Sequence, residues 1–132
     1  MILFKKFITR EFIKANPDKY FVFGDNEMRC GTGGQAKEMR GEPNSIGIRV
    51  KRFPGTSTIA YYSDRNYDSN ILNISEDFRI VEEYLKGGKT VIIPKDGIGT
   101  GLAKLKYFAP KTLEFINNKI KELSNTYGIK EE

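Results

Sequence analysis

Two short apolar runs, each breaking into a glycine-rich loop, limit the folds open to this sequence. Thr90-Val91-Ile92-Ile93-Pro94 leads through Lys95-Asp96 into Gly97-Ile98-Gly99-Thr100-Gly101, and Tyr20-Phe21-Val22-Phe23 ends at Gly24-Asp25-Asn26, with Gly31-Thr32-Gly33-Gly34 close behind. Short β-branched and aromatic runs without a polar alternation read as central strands buried on both faces. Such strands need a layer of helices on each side.

The intervening segments supply those helices. Thr9 reads as an N-cap, with Ile8 and Ile13 placed as a hydrophobic staple, and Asn16-Pro17 stops the helix because the residue before proline is pushed out of the α region. Gln35 to Arg40 reads as a short helix closed by Gly41. Ser75 reads as the cap of the next helix, in which Phe78, Val81 and Leu85 recur at spacings of three and four before Gly87-Gly88. Pro110 opens a last helix with Leu113, Ile116, Ile120, Leu123 and Tyr127 on one stripe. Met1–Phe7 is a candidate edge strand, Ser45–Val50 a further strand, and Thr58–Tyr62 a weaker one; the tail from Gly128 onward is expected to fray. Strands alternating with helices predict one α/β domain over residues 1–132, a three-layer α/β/α sandwich with a mixed, centrally parallel sheet.

Composition narrows the chemistry. The 132 residues contain no histidine, which removes Ser-His-Asp and Cys-His catalysis and nearly every zinc site, so no metal or cofactor is expected. Cys30 is the only cysteine, which makes an internal disulfide impossible and points to a reducing cytoplasm. No apolar run approaches the roughly 18 residues of a spanning helix, and residues 1–8 lack the pattern of a signal peptide. The net charge is +5, and all of it falls within residues 1–60, with Arg49, Lys51 and Arg52 as the tightest cluster. A basic field of this kind draws in an anionic ligand, a nucleotide or a nucleic acid.

In open α/β sheets ligands sit beyond the carboxyl ends of the strands, which is where both glycine loops fall. Glycine lets backbone amides approach a phosphate without a Cβ in the way, and a helix starting after the loop adds its own unpaired N–H groups. Neither loop fits the Walker pattern or the spaced dinucleotide fingerprint.

Phe21-Val-Phe-Gly-Asp-Asn26 followed by Gly31-Thr-Gly-Gly-Gln-Ala36 resembles the first ligand loop of macrodomains. Ile92-Ile-Pro-Lys-Asp-Gly-Ile-Gly-Thr-Gly-Leu102 resembles their second. The likeness covers residues 18–40 and 88–127 and is nearest to short phage and bacterial macro-like proteins and to the branch that removes ADP-ribose from macromolecules. It implies ADP-ribose or a related nucleotide, free or attached to protein or nucleic acid, lying between the loops. Gly31, Gly33 and Gly34 would flank the distal ribose and diphosphate, with Gly24, Thr32 and Gln35 beside them. Ile98, Gly99, Thr100 and Gly101 would wrap the diphosphate from the other side, next to Gly97. Asn26 matches the asparagine that points at the distal ribose. Gly24-Asp25-Asn26 replaces the usual paired asparagines, and Leu102-Ala103 stands where one hydrolase branch carries an acidic residue.

Asp25 and Asp96 each follow an apolar strand, so adjacent strands would bring two carboxylates to one rim, one as general base on water and one as a stabiliser of positive charge. With Asn26 they form the expected catalytic set for hydrolysis of an ADP-ribosyl linkage, and Asp25→Ala is expected to abolish turnover while preserving binding. Both aspartates can equally serve as turn residues accepting backbone N–H bonds. Lys95 could offset diphosphate charge or act as a nucleophile on an opened ribose. Two other readings stand beside this one. The chain could sequester a nucleotide signal without destroying it, or bind nucleic acid through Arg49, Lys51, Arg52 and Arg65 interleaved with Phe53, Tyr61 and Tyr62.

Overall fold

A computed structural model describes residues 1–131. Five strands and five helices follow one another as β1 (Ile2–Lys5), α1 (Arg10–Ala15), β2 (Tyr20–Asn26), α2 (Ala36–Met39), β3 (Ser45–Lys51), α3 (Tyr67–Lys86), β4 (Val91–Pro94), α4 (Leu105–Phe108), α5 (Pro110–Tyr127) and β5 (Ile129–Glu131). The strands form one sheet in the order β3-β2-β4-β1-β5. The α/β class is as expected, and the parallel pairing of the centre extends to the rest of the sheet: β1 with β4, β1 with β5, β2 with β3 and β2 with β4 all run parallel. The one antiparallel contact among the described residues is an isolated bridge between Lys51 and Tyr61.

The alternation of side chains along each strand builds two cores, one per face. Val22, Ile46, Ile48, Val91, Ile93 and Ile2 face α3 and α5, meeting Ile74, Phe78, Val81, Leu85, Ile116, Ile120 and Leu123. Phe21, Phe23 and Ile92 face the other way and meet Ile8, Ile13, Ala36 and Met39. Ile92 and Ile93 are both fully buried on opposite faces, and each such side chain contributes roughly 1.5–3 kcal/mol of hydrophobic stabilisation.

Several local expectations hold. The Thr9 hydroxyl accepts from Phe12 N–H at 3.2 Å, and Ile8 and Ile13 are buried together behind it. Asn16 terminates α1, Pro110 opens α5 and Gly87 follows the last residue of α3. Others are corrected. β1 is not at the edge, because β5 lies outside it, so residues 129–131 of the expected frayed tail form a strand; residue 132 lies outside the described residues. Thr58–Ala60 is a 3-10 turn rather than a strand, leaving only Tyr61 to bridge Lys51. α3 begins at Tyr67, eight residues before Ser75, which lies inside the helix. The helix expected over Gln35–Arg40 is a single turn, Ala36–Met39.

Candidate functional site

The order β3-β2-β4 puts the carboxyl ends of β2 and β4 side by side, and the two glycine loops leave the sheet there. A β-carbon on Gly24 would stand 3.5 Å from the Gly99 nitrogen, so the end of β2 lies directly against the second loop. One chamber is lined by Gly24, Gly33, Gly34 and Gln35 from the first loop side and by Asp96, Gly97, Gly99 and Gly101 from the second. A neighbouring chamber runs from Gly24 and Gly33 past Asn26 and Cys30 to Arg40, Lys51 and Pro54. Leu102 is 60% exposed, and a β-carbon on Gly33 would lie 2.7 Å from its Cδ1. The two chambers thus adjoin, with Leu102, Ala103 and Val50 lining both.

Backbone amides define the chemistry of this cleft. Among the described residues, the N–H groups of 31–34 and 98–102 donate to no protein acceptor. Gly99 has φ +81°, and the side chain of Leu105 fills the space a β-carbon would need, so only glycine fits. Thr100 Oγ1 donates to the Asp96 carbonyl at 2.8 Å and closes the second loop. The helices after the loops add little, since α2 and α4 are four residues each, too short to build an appreciable macrodipole. Among the described residues, no lysine or arginine lines the loop chamber, so an anion there meets loop backbone and the Asp96 carboxylate, whereas Arg40 and Lys51 line the neighbouring chamber.

Two of the three expected catalytic residues are held by protein partners. Asp25 is 5% exposed. Its Oδ1 accepts from Arg40 Nη2 at 2.5 Å and from Asn26 N–H at 2.8 Å, and its Oδ2 faces Arg29 Nη1 at 3.3 Å and Arg40 Nη1 at 3.4 Å. Both oxygens of Asp25 are thus committed to protein donors. Asn26 is also engaged, donating from Nδ2 to the Cys30 carbonyl at 2.7 Å and accepting from Met28 N–H at 3.0 Å. Asp25 and Asp96 share the rim, as adjacent strands require, but Asp96 lines the loop chamber while Asp25 lines the one beyond Leu102. Asp96 is exposed and its side chain makes no ion pair among the described residues. Of the expected ligand-binding residues, Gly24, Gly33, Gly34, Gln35, Gly97, Gly99 and Gly101 line the loop chamber, and Gly31 and Thr32 line the other. Ile98 is 1% exposed with its side chain in the core, so only its backbone is available to a ligand. The Gln35 amide donates to the Ile8 carbonyl at 3.0 Å. Lys95 is exposed and lines neither chamber.

Asp25 and Arg49 belong to an ionic ladder around the free edge of β3, together with Arg29, Arg40 and Asp77, which the sequence reading did not place at a site. Arg40 pairs with Asp25, Asp25 with Arg29, Arg29 with Asp77 at 2.7 Å, and Asp77 with Arg49 at 3.1 Å. Asp25 lies on the α2 side of the sheet and Asp77 on α3, so Arg29 joins the two faces around β3. Its Nη1 also donates to the Gly47 carbonyl at 2.9 Å, and Asp77 Oδ2 accepts the Arg49 N–H at 2.7 Å, which occupies the edge of the sheet. Gly47 makes the room: a β-carbon there would lie 2.6 Å from Asp25 Oδ2. A glycine in mid-strand is the one signal that pointed to such a close approach. Burial works against the charged form of Arg49, but the hydrogen bond and charge of Asp77 outweigh it and hold the pKa above the ordinary arginine value.

Of the basic residues and tyrosines offered for nucleic acid, Arg49, Lys51, Tyr61 and Tyr62 are packed inward, whereas Arg52 and Arg65 are exposed. Arg49 is committed to Asp77 and Glu76. Lys51 Nζ donates to the Gly55 carbonyl and sits 4.6 Å above the Tyr61 ring, and burial together with the charge of Lys104 lowers its pKa. Tyr61, 6% exposed, stacks on Phe108 at 4.3 Å, and Tyr62 is 1% exposed with its hydroxyl bonded to Asn73 Nδ2 at 3.2 Å. Burial pushes the Tyr62 phenol up to about 12. No helix is long and apolar enough to cross a membrane among the described residues.

Fold and cleft together define an α/β protein with a two-loop, amide-lined groove at the carboxyl edge of a parallel sheet. Residues 3–119 match the family described as "Family of unknown function (DUF7831)", and with most of its length matched the chain belongs to that family. No curated protein and no solved structure matches it.

Proposed function

We propose that this chain is a macrodomain-like binder of ADP-ribose or a related nucleotide diphosphate, held with its pyrophosphate between the two glycine loops, in a cytoplasmic setting consistent with its exposed free Cys30. The observation that carries this reading is the convergence of both loops on one chamber with amides that no protein group accepts. Oriented amides in a concave backbone are a general anion cradle. The inward commitment of Arg49, Lys51 and the tyrosines gives the pocket reading more support than the nucleic-acid reading.

Calorimetry with ADP-ribose tests it, with Gly101→Glu as the control variant. Gly101 lines the loop chamber, and a β-carbon there meets nothing within 4 Å, so the fold accommodates the change. Placing a carboxylate beside the pyrophosphate opposes binding by about 1–4 kcal/mol, a roughly five- to several-hundred-fold loss of affinity. Wild-type protein that gives no heat with ADP-ribose would sink the proposal.

Hydrolysis of an ADP-ribosyl linkage remains the second part of the reading. The specific feature favouring it is Asp96, the exposed carboxylate in the loop chamber that is free of ion pairs. Incubation with an ADP-ribosylated protein or DNA, followed by mass, separates an eraser from a sponge. Turnover that persists undiminished in Asp96→Asn removes this residue from the mechanism.

A further inference from the structure

We propose that Arg40, clamped by Asp25, is the positioning residue that turns the amides of the first glycine loop toward the ligand, an inference that rests on the nucleotide-binding reading. The argument begins with peptide geometry. The described residues contain no cis peptide bond, and in a trans peptide the C=O and N–H vectors of one plane point in opposite directions. Arg40 Nη2 donates to the Cys30 carbonyl at 3.1 Å and Nε to the Gly31 carbonyl at 2.6 Å. Drawing these two carbonyls toward the guanidinium turns the N–H groups of Gly31 and Thr32 away from it. Neither amide has a protein acceptor, and both residues line the chamber beyond Leu102. Asn26 Nδ2 reinforces the first of these planes through the Cys30 carbonyl at 2.7 Å, and Gly31, at φ +97°, permits the turn between the two.

The guanidinium is itself immobilised. Asp25 grips it through both oxygens, at 2.5 and 3.4 Å, and the Asn26 amide holds Asp25. The rigid fork of arginine is what this task needs, because three loop and carboxylate acceptors are served from one plane. A lysine would keep the charge and lose the geometry. Asp25 therefore acts on the ligand through Arg40 and the loop, not as a base.

The test measures backbone amide relaxation of ligand-free protein in wild type, Arg40→Lys and Asp25→Asn, alongside ADP-ribose affinity. In the wild type the Gly31–Gly34 amides are expected to be as ordered as the strands, with order parameters near about 0.85; in both variants they fall below about 0.6 while β2 and β4 are unchanged. Affinity is expected to fall at least tenfold in Arg40→Lys, whose charge is kept, and at least as far in Asp25→Asn. Unaltered order at Gly31–Gly34 overturns the positioning role, as do variants that bind as tightly as wild type. Arg40→Lys decides the matter should Asp25→Asn not fold. The relaxation arm needs no ligand, so a wild type that ignores ADP-ribose overturns the nucleotide reading alone.

Discussion

Tyr62 illustrates how much a single side chain can reveal once its surroundings are known. Its phenol is neutral below pH 10 in the folded and unfolded chain alike. Between pH 10 and about 12 the unfolded chain ionises while the buried folded one does not, so the unfolded state binds fewer protons and stability falls as pH rises through that window. Denaturant midpoints measured from pH 9 to 12 are expected to decline, and to decline less steeply in Tyr62→Phe. At this scale the sequence was legible for glycines and opaque for charges. Gly99 and Gly33 announce themselves in glycine-rich loops. The pairing of Arg29 with Asp77 spans 48 positions, and no local pattern connects them. Asp25 reads from the sequence as an acidic residue after a strand, but its partner Arg40 arrives from the far end of α2, a contact that only the fold creates.

At the scale of elements, α5 shows a helix whose start is secured from elsewhere. Ala109, at its N-cap, offers no side-chain acceptor. Asp64, in the 3-10 turn before α3, takes over by accepting the N–H groups of Lys111 at 2.8 Å and Thr112 at 3.0 Å, and the Thr112 hydroxyl at 2.9 Å. Asp64→Ala should cost about 1–2 kcal/mol, as loss of an N-cap does, read as a lowered urea midpoint at constant slope. The same region explains the misplaced start of α3. Its first turns bury Asn70, which donates to Ser63 and Thr112, where an apolar residue would have extended the stripe. With the pattern broken there, Ser75 looked like the cap. Thr58–Tyr62 misled in the opposite sense, since Ile59 and Tyr61 have strand character but Ile59 points outward at 67% exposure. By contrast, α1, β2, β4 and α5 were readable because local signals agreed: Thr9 and Asn16-Pro17 bound α1, Pro110 and Gly128 bound α5, and apolar runs ending in glycine loops mark β2 and β4.

On the scale of the whole molecule, the class of fold was legible because apolar strands alternating with amphipathic helices admit few layer arrangements. The strand order was not, since nothing in a strand's own residues names its neighbours. That order governs how the chain can assemble. β4, at positions 91–94, stands between β2 and β1, so the β2–β3 pair and the β1–β5 pair remain separate until it enters. Pulse-labelled hydrogen exchange during refolding is expected to protect β2 and β3 before β1; simultaneous protection of all three would contradict this. During synthesis at about 5–20 residues per second, the apolar Ile2–Phe4 segment waits roughly 4–18 s for its central partner to be made. For that interval the segment offers an apolar, unpaired strand edge to any other chain that meets it, so the exposure that favours misassembly is set by strand order and not by stability.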